Sequence, residues 1–175
     1  MKGKKRKCLS FLLCVSLILG MIPMTEKTVK AATELITSVE VMLARPFNTA
    51  KPCSKEDVQI FGANDSYVVG SLTWYEGTYN SYQQTRDLSV FNGSFMSGMA
   101  YTAVLNLHSK SGYEFSCDDS GIPDISEDNI AVNCNNVTLD KASSGSQNLR
   151  LYLNYTAAAN ILDDAKGNCF KFTWA

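Results

Sequence analysis

Aromatic side chains crowd the stretch between positions 74 and 95, where their chemistry suits a sugar or a protein surface. The group consists of Trp74, Tyr75, Tyr79, Tyr82, Phe91 and Phe95. Sugar rings stack their C–H faces on exposed aromatic rings, and the polar tips of tyrosines also suit protein interfaces. Strand parity points Trp74 inward, so we assign Trp74, Phe91 and Phe95 to the core. The candidate ligand-binding residues are therefore Tyr75, Tyr79, Tyr82, Gln83 and Arg86.

Four cysteines follow position 31, an even set of the kind that forms disulfides in exported chains. They are Cys53, Cys117, Cys134 and Cys169. Four cysteines allow three pairings, and the sequence does not choose among them. We favour Cys117–Cys134 and Cys53–Cys169, each contributing about 2–4 kcal/mol to stability. A zinc site is disfavoured because no two of them have zinc-knuckle spacing, and ordinary buried thiols are the third alternative.

An acidic loop between Cys117 and Asn129 offers oxygen ligands of the type that calcium prefers. Its carboxylates are Asp118, Asp119, Asp124, Glu127 and Asp128. Their spacing does not match the twelve-residue calcium loop with its central glycine and terminal glutamate. We therefore expect a solvated charged loop, and we expect no metal and no cofactor.

The catalytic residue types are sparse. His108 is the only histidine in the chain, and it lies on the outward parity of its strand beside Ser109. A Ser–His pair needs an orienting acid and an oxyanion site, and the chain has no Gly-x-Ser-x-Gly elbow. The sequence therefore predicts a protein that is not an enzyme, and a small secreted hydrolase or inhibitor ranks last among its functions.

The formal net charge of −1 is the sum over two segments whose net charges have opposite signs. The first 31 residues hold seven of the 16 basic residues and one of the 17 acidic residues. The remaining 144 residues therefore carry 9 bases and 16 acids, a net charge of −7. Proteins that bind nucleic acids or anionic membranes need a basic patch, so this acidity argues against both as partners.

The N-terminus has the three parts of an export signal. Residues 1–7 are basic, residues 9–24 are an apolar run, and Val29-Lys30-Ala31 fits the small-x-small cleavage rule. The apolar run contains Gly20 and Pro23 and is shorter than the roughly 20 residues that span a bilayer. We therefore predict that residues 1–31 are a cleaved signal peptide and that the mature protein is secreted, with no membrane span.

The rest of the chain consists of short period-two runs separated by turn residues. The strongest is 101–108, and others fall at 39–44, 58–61, 68–74, 113–115, 130–139 and 149–155. About seven such runs favour two antiparallel sheets packed face to face. The predicted fold class is all-β, and the mature chain is long enough for one domain.

Several phrases of the sequence, in this order, resemble a known repeat. They are Pro46, Ala50-Lys51-Pro52, Ser66–Trp74, Phe95, Gly98, Ala100–Leu107, Gly112–Phe115 and Leu151–Tyr155. Together they resemble a bacterial immunoglobulin-like β-sandwich repeat of secreted and cell-surface proteins of Gram-positive bacteria. The resemblance spans roughly 35–156 and implies an immunoglobulin-like sandwich, with Trp74 as the core tryptophan and Tyr113 as a corner residue. The aromatic stretch 75–95, the four cysteines and the tail after 156 depart from the pattern.

These observations predict three segments: a signal peptide at 1–31, an immunoglobulin-like domain at 32–156 and a C-terminal extension at 157–175. The expected function is non-catalytic extracellular recognition or adhesion, with a glycan or a protein as ligand, in the medium or at the cell surface. The alternative is a structural or spacer module with no ligand of its own. An exposed Tyr75, Tyr79 and Tyr82 would favour recognition, whereas burial of all three would favour the structural role.

Overall fold

The computed structural model describes residues 32–61, 65–80 and 88–160. The chain divides into two units, Met1–Ala31 and Ala32–Ala175. The predicted signal peptide lies outside the described residues, as does most of the predicted C-terminal extension.

The described part of the chain is all-β, which confirms the predicted class. Its strands are β1 Glu34–Ile36, β2 Val39–Met42, β3 Gln59–Phe61, β4 Tyr67–Glu76, β5 Ser89–Val90, β6 Ala100–Ser109, β7 Tyr113–Phe115, β8 Ile130–Val132, β9 Asn136–Leu139 and β10 Asn148–Thr156. Three single-turn 3-10 helices accompany them at Lys55–Asp57, Glu127–Asn129 and Lys141–Ser143. No helix in these residues has the length and apolar character needed to cross a bilayer.

The largest sheet has five antiparallel strands in the order β5-β4-β6-β10-β9. Its two long central strands carry an apolar set on one parity, as the sequence predicts, and both parities are buried along the middle of each strand. On β6 and β10, one parity is fully buried: Tyr101, Ala103, Leu105, Leu107, Leu149, Leu151, Leu153 and Tyr155. The other parity forms the outer face of the sheet, because successive side chains of a strand point to opposite faces.

The remaining strands form a three-stranded sheet, β3-β2-β8, and a two-stranded sheet, β1-β7. The predicted antiparallel pairing holds for the five-stranded sheet and for β2 with β3, whereas β8 runs parallel to β2 and β7 runs parallel to β1. The stretch 130–139, predicted as one strand, splits into β8 and β9, which belong to different sheets. The break has a physical cause: the Asn133 side chain accepts a hydrogen bond from the Leu43 N–H (3.0 Å) and donates one to its carbonyl (2.7 Å). The Asn133 side chain thus replaces the backbone hydrogen bonds to Leu43 that would continue β8.

One hydrophobic core takes side chains from all three sheets. At its centre, the Trp74 ring lies 5.1 Å from Phe95 and 5.4 Å from Tyr155 between ring centroids. Phe91 is half-buried and stacks on Phe95 at 5.3 Å. The assignment of Trp74 and Phe95 to the core is confirmed, and Phe91 packs at its margin. Aromatic pairs in tilted and edge-to-face contact contribute about 0.5–1.5 kcal/mol each beyond the area they bury.

Candidate functional site

The chain after β4 folds back across the outer face of the five-stranded sheet. We call residues 77–80 the strap. The Asn154 amide accepts a hydrogen bond from the Tyr79 N–H (3.0 Å) and donates one to the Tyr79 carbonyl (2.9 Å). The Thr102 hydroxyl lies 2.8 Å from both the Gly77 carbonyl and Asn154 Oδ1. Thr102 and Asn154 are register partners on β6 and β10, so two outward polar residues of the sheet hold the strap.

The strap carries Tyr79 onto Tyr152, and the two rings stack face to face. Their centroids are 3.7 Å apart and their planes differ by 14°. The Tyr152 hydroxyl donates a hydrogen bond to Asp140 Oδ2 at 2.9 Å, and the Arg150 guanidinium lies 5.9 Å from the centre of the Tyr152 ring. Tyr79, Tyr152, Asp140 and Arg150 together are the tyrosine site.

Burial and charge set the chemistry of the tyrosine site. Burial, followed by the nearby Asp140, raises the pKa of Tyr152 to about 12. The same two causes raise the pKa of Tyr79, while Arg150 opposes the shift. Both phenols therefore remain neutral hydroxyls at any ordinary pH. Arg150 Nε is buried and has no hydrogen-bond partner among the described residues.

The arrangement combines the groups that a polar, ring-shaped ligand needs. Tyr79 is half-buried, so one face of its ring is held by Tyr152 while the residue keeps contact with solvent. Asp140 and Arg150, also half-buried, place an acceptor and a set of donors beside it. A ring that is already held in place loses little side-chain entropy when a ligand stacks on it.

The structure places the predicted ligand-binding residues only in part. Tyr75 is half-buried near the end of β4, between Val90 of β5 and Thr102 of β6, and Tyr79 lies in the tyrosine site. Tyr82, Gln83 and Arg86 lie outside the described residues. Sequence reasoning missed Tyr152, Asp140 and Arg150. The alternation of β10 was the available signal, since it placed Arg150 and Tyr152 on the outward parity of a strand.

Cys53, Cys117 and Cys134 are free thiols in the structure. The favoured Cys117–Cys134 bridge is not formed. Its two cysteines have different surroundings: Cys117 lies beside the carboxylates of the acidic loop, whereas Cys134 lies half-buried near Arg45. Cys169, the predicted partner of Cys53, lies outside the described residues. Burial raises the pKa of each of the three thiols, and that of Cys134 reaches about 11.

Two of the five carboxylates of the acidic loop accept hydrogen bonds from backbone N–H groups. Asp118 accepts hydrogen bonds from the N–H groups of Ser120 (2.9 Å) and Ile122 (3.0 Å). Glu127 accepts one from the Leu139 N–H of β9 at 3.1 Å, and all five acidic residues of the loop are exposed. Within the described residues, no three His, Cys, Asp or Glu side chains are grouped to hold a metal ion. The calcium candidate therefore has no support in the structure.

His108 lies at the far end of the same outer face, opposite Val68 and Asn148. It is exposed, as its strand parity predicts. Its imidazole covers Gly70, where β4 has a bulge, so a side chain at position 70 would require the ring to move.

This chain matches no protein-family model, no curated protein and no solved structure.

Proposed function

We propose that the mature chain is a secreted, non-catalytic, immunoglobulin-like module that recognises an extracellular glycan or protein through the tyrosine site. The observation that carries the proposal is the Tyr79–Tyr152 stack beside Asp140 and Arg150. The basic, apolar and small-x-small segments of residues 1–31 support export. The immunoglobulin-like fold rests on the resemblance in sequence, and the five-stranded antiparallel sheet with its core Trp74 is compatible with it.

A glycan is the ligand for which the tyrosine site is best suited. Sugar rings present apolar C–H faces together with hydroxyls, and the site offers an aromatic ring with a carboxylate and a guanidinium beside it. A protein ligand would use the same surface through the amphipathic tyrosine. The net charge of −7 on residues 32–175 disfavours polyanionic ligands.

A glycan-array screen of the mature protein tests the proposal. We expect Tyr79→Ala to weaken binding of the captured glycan by about tenfold, because one stacking contact is worth about 1 kcal/mol or more. His108→Ala is the matched control, since it is an exposed ring at the other end of the same face. The recognition function is to be abandoned if the protein retains no glycan or cell-wall polymer and a screen of surface proteins also finds no ligand.

The alternative is a structural or spacer module without a ligand. One observation favours it: Tyr75 and Tyr79 are both half-buried, and the strap that carries Tyr79 packs on its own sheet. The two functions differ in the effect of Tyr79→Ala. A structural role predicts a lower free energy of unfolding and no change in any binding measurement.

A further inference from the structure

A second concave surface lies on the three-stranded sheet. A groove of about 250 Å³ opens there, lined by β2, β8 and the end of β3. Glu40 is the register partner of Phe61 on one side and of Ala131 on the other. Val39 and Val41 are buried on the opposite face. Since register partners share a face of a sheet, the side chains of Glu40, Phe61 and Ala131 lie together on the grooved face.

The backbone beneath the groove is held from both sides. The Tyr67 hydroxyl accepts a hydrogen bond from the Glu40 N–H (2.9 Å) and lies 3.2 Å from the Glu40 carbonyl, to which it donates. The Asn133 amide pairs with both backbone groups of Leu43. The groove is therefore preformed, and a ligand does not need to order it.

The groove carries one negative charge among apolar walls. Phe61 is 39% exposed, Met42 lines the groove beside it, and the Glu40 residue is exposed. Across residues 32–61, 65–80 and 88–160, no basic side chain forms an ion pair with Glu40. An apolar stem with a cationic end complements this surface, and the net charge of −7 on residues 32–175 attracts cations to it.

The size of the groove limits its occupant. Pockets for drug-sized ligands measure about 300–1,000 Å³, so about 250 Å³ suits a single long side chain. Lysine buries its methylene stem along apolar surface and keeps its ammonium at a polar edge. We propose that the groove binds a lysine side chain of a protein partner, with the stem on Phe61 and Met42 and the ammonium on the Glu40 carboxylate.

This site is separate from the tyrosine site, which lies on the five-stranded sheet, and its test does not depend on the proposed function. The probe is Nα-acetyl-lysine N-methylamide, titrated into the ¹⁵N-labelled mature protein while amide shifts are followed by NMR. We expect saturable shifts at Glu40, Phe61 and Ala131. The norleucine counterpart has nearly the same stem without the charge, and we expect it to bind several-fold more weakly.

Two variants decide whether Glu40 is responsible. Glu40→Gln should weaken lysine binding by about two- to fivefold, the range for an exposed ion pair. Glu76→Gln removes the same charge from an exposed position of the five-stranded sheet and should leave the affinity unchanged. Norleucine binding as tightly as lysine, equal affinities of the two variants, or shifts confined to other residues would each overturn the proposal. Tyr79→Ala leaves this titration unchanged even if glycan recognition fails.

Discussion

Tyr152 is the residue that holds the tyrosine site together. It supports the Tyr79 ring, donates a hydrogen bond to Asp140 and lies beneath the Arg150 guanidinium. Its pKa is raised to about 12, against about 10 for an ordinary tyrosine. The folded state therefore binds this proton more tightly than the unfolded state does. This difference in proton affinity contributes to the free energy of unfolding. The contribution is fully present below pH 10 and is lost as the pH rises towards 12.

Tyr152→Phe tests this linkage. At pH 8 we expect the variant to be less stable by about 1 kcal/mol, the value of one hydrogen bond. Between pH 10 and 12 the wild-type free energy of unfolding should fall more steeply than that of the variant, so that the two curves converge. Urea unfolding at a series of pH values measures the free energy of unfolding of the wild type and of the variant. Parallel curves over that range would show that the Tyr152 hydroxyl does not have a raised pKa.

The raised pKa values of the thiols lead to a second prediction. Only the thiolate form of cysteine reacts with alkylating reagents, so a thiol with a higher pKa should react more slowly. In the reduced protein at pH 8 we expect Cys134 to react with iodoacetamide more slowly than Cys117. The pKa of Cys134 is about 11, and Cys134 packs against the core. Peptide mapping by mass spectrometry measures the rates, with urea-unfolded protein as the control in which both rates become similar. Equal rates in the folded protein would contradict the burial of Cys134.

The strap is the element that completes the tyrosine site, and Asn154 is its main anchor. We expect Asn154→Ala to lower the free energy of unfolding by about 1–3 kcal/mol, because it removes the hydrogen bond to the Tyr79 carbonyl and one of the two acceptors of the Tyr79 N–H, the other being Thr102 Oγ1. Amide exchange at Tyr79 should also become faster. The control is Asn106→Ala on the same face, whose amide donates to Ser71 Oγ at 2.7 Å and is half-exposed. Equal effects of the two variants would show that the strap is held by other contacts.

Elements with a clear period could be predicted from the sequence, whereas pairings between distant segments could not. β6 and β10 were predictable because one parity of each strand is an uninterrupted apolar set, which a one-residue slip would move to the outer face. The division of 130–139 depends on a bond between Asn133 and Leu43, which no local pattern reveals. The tyrosine site likewise joins Tyr79 to a strand far along the chain. The aromatic stretch identified Tyr79 as a candidate, but its partners depend on the fold.

At the scale of the whole molecule, the two proposed sites belong to different sheets that share one core. The tyrosine site lies on the outer face of the five-stranded sheet, and the groove proposed to bind lysine lies on the outer face of the three-stranded sheet. A module with a separate surface on each sheet has the means to link two ligands. Linking binding sites in this way raises apparent affinity without new contacts, which is consistent with a role in adhesion.

A role in adhesion requires that the protein is exported, and the last prediction concerns this export. Expression of the full chain in a Gram-positive host should release a protein whose N-terminal residue is Ala32, because signal peptidase accepts small residues at positions 29 and 31. N-terminal sequencing and intact mass of the protein in the medium measure this. Ala31→Arg places a large charged residue at the cleavage point. The variant should therefore keep its signal peptide and remain in the cell fraction. Thr33→Arg, two residues past Ala31, is the matched control and should be processed normally. Retention of the wild-type protein in the cytoplasm with Met1 or Lys2 at its N-terminus would remove the basis for an extracellular ligand.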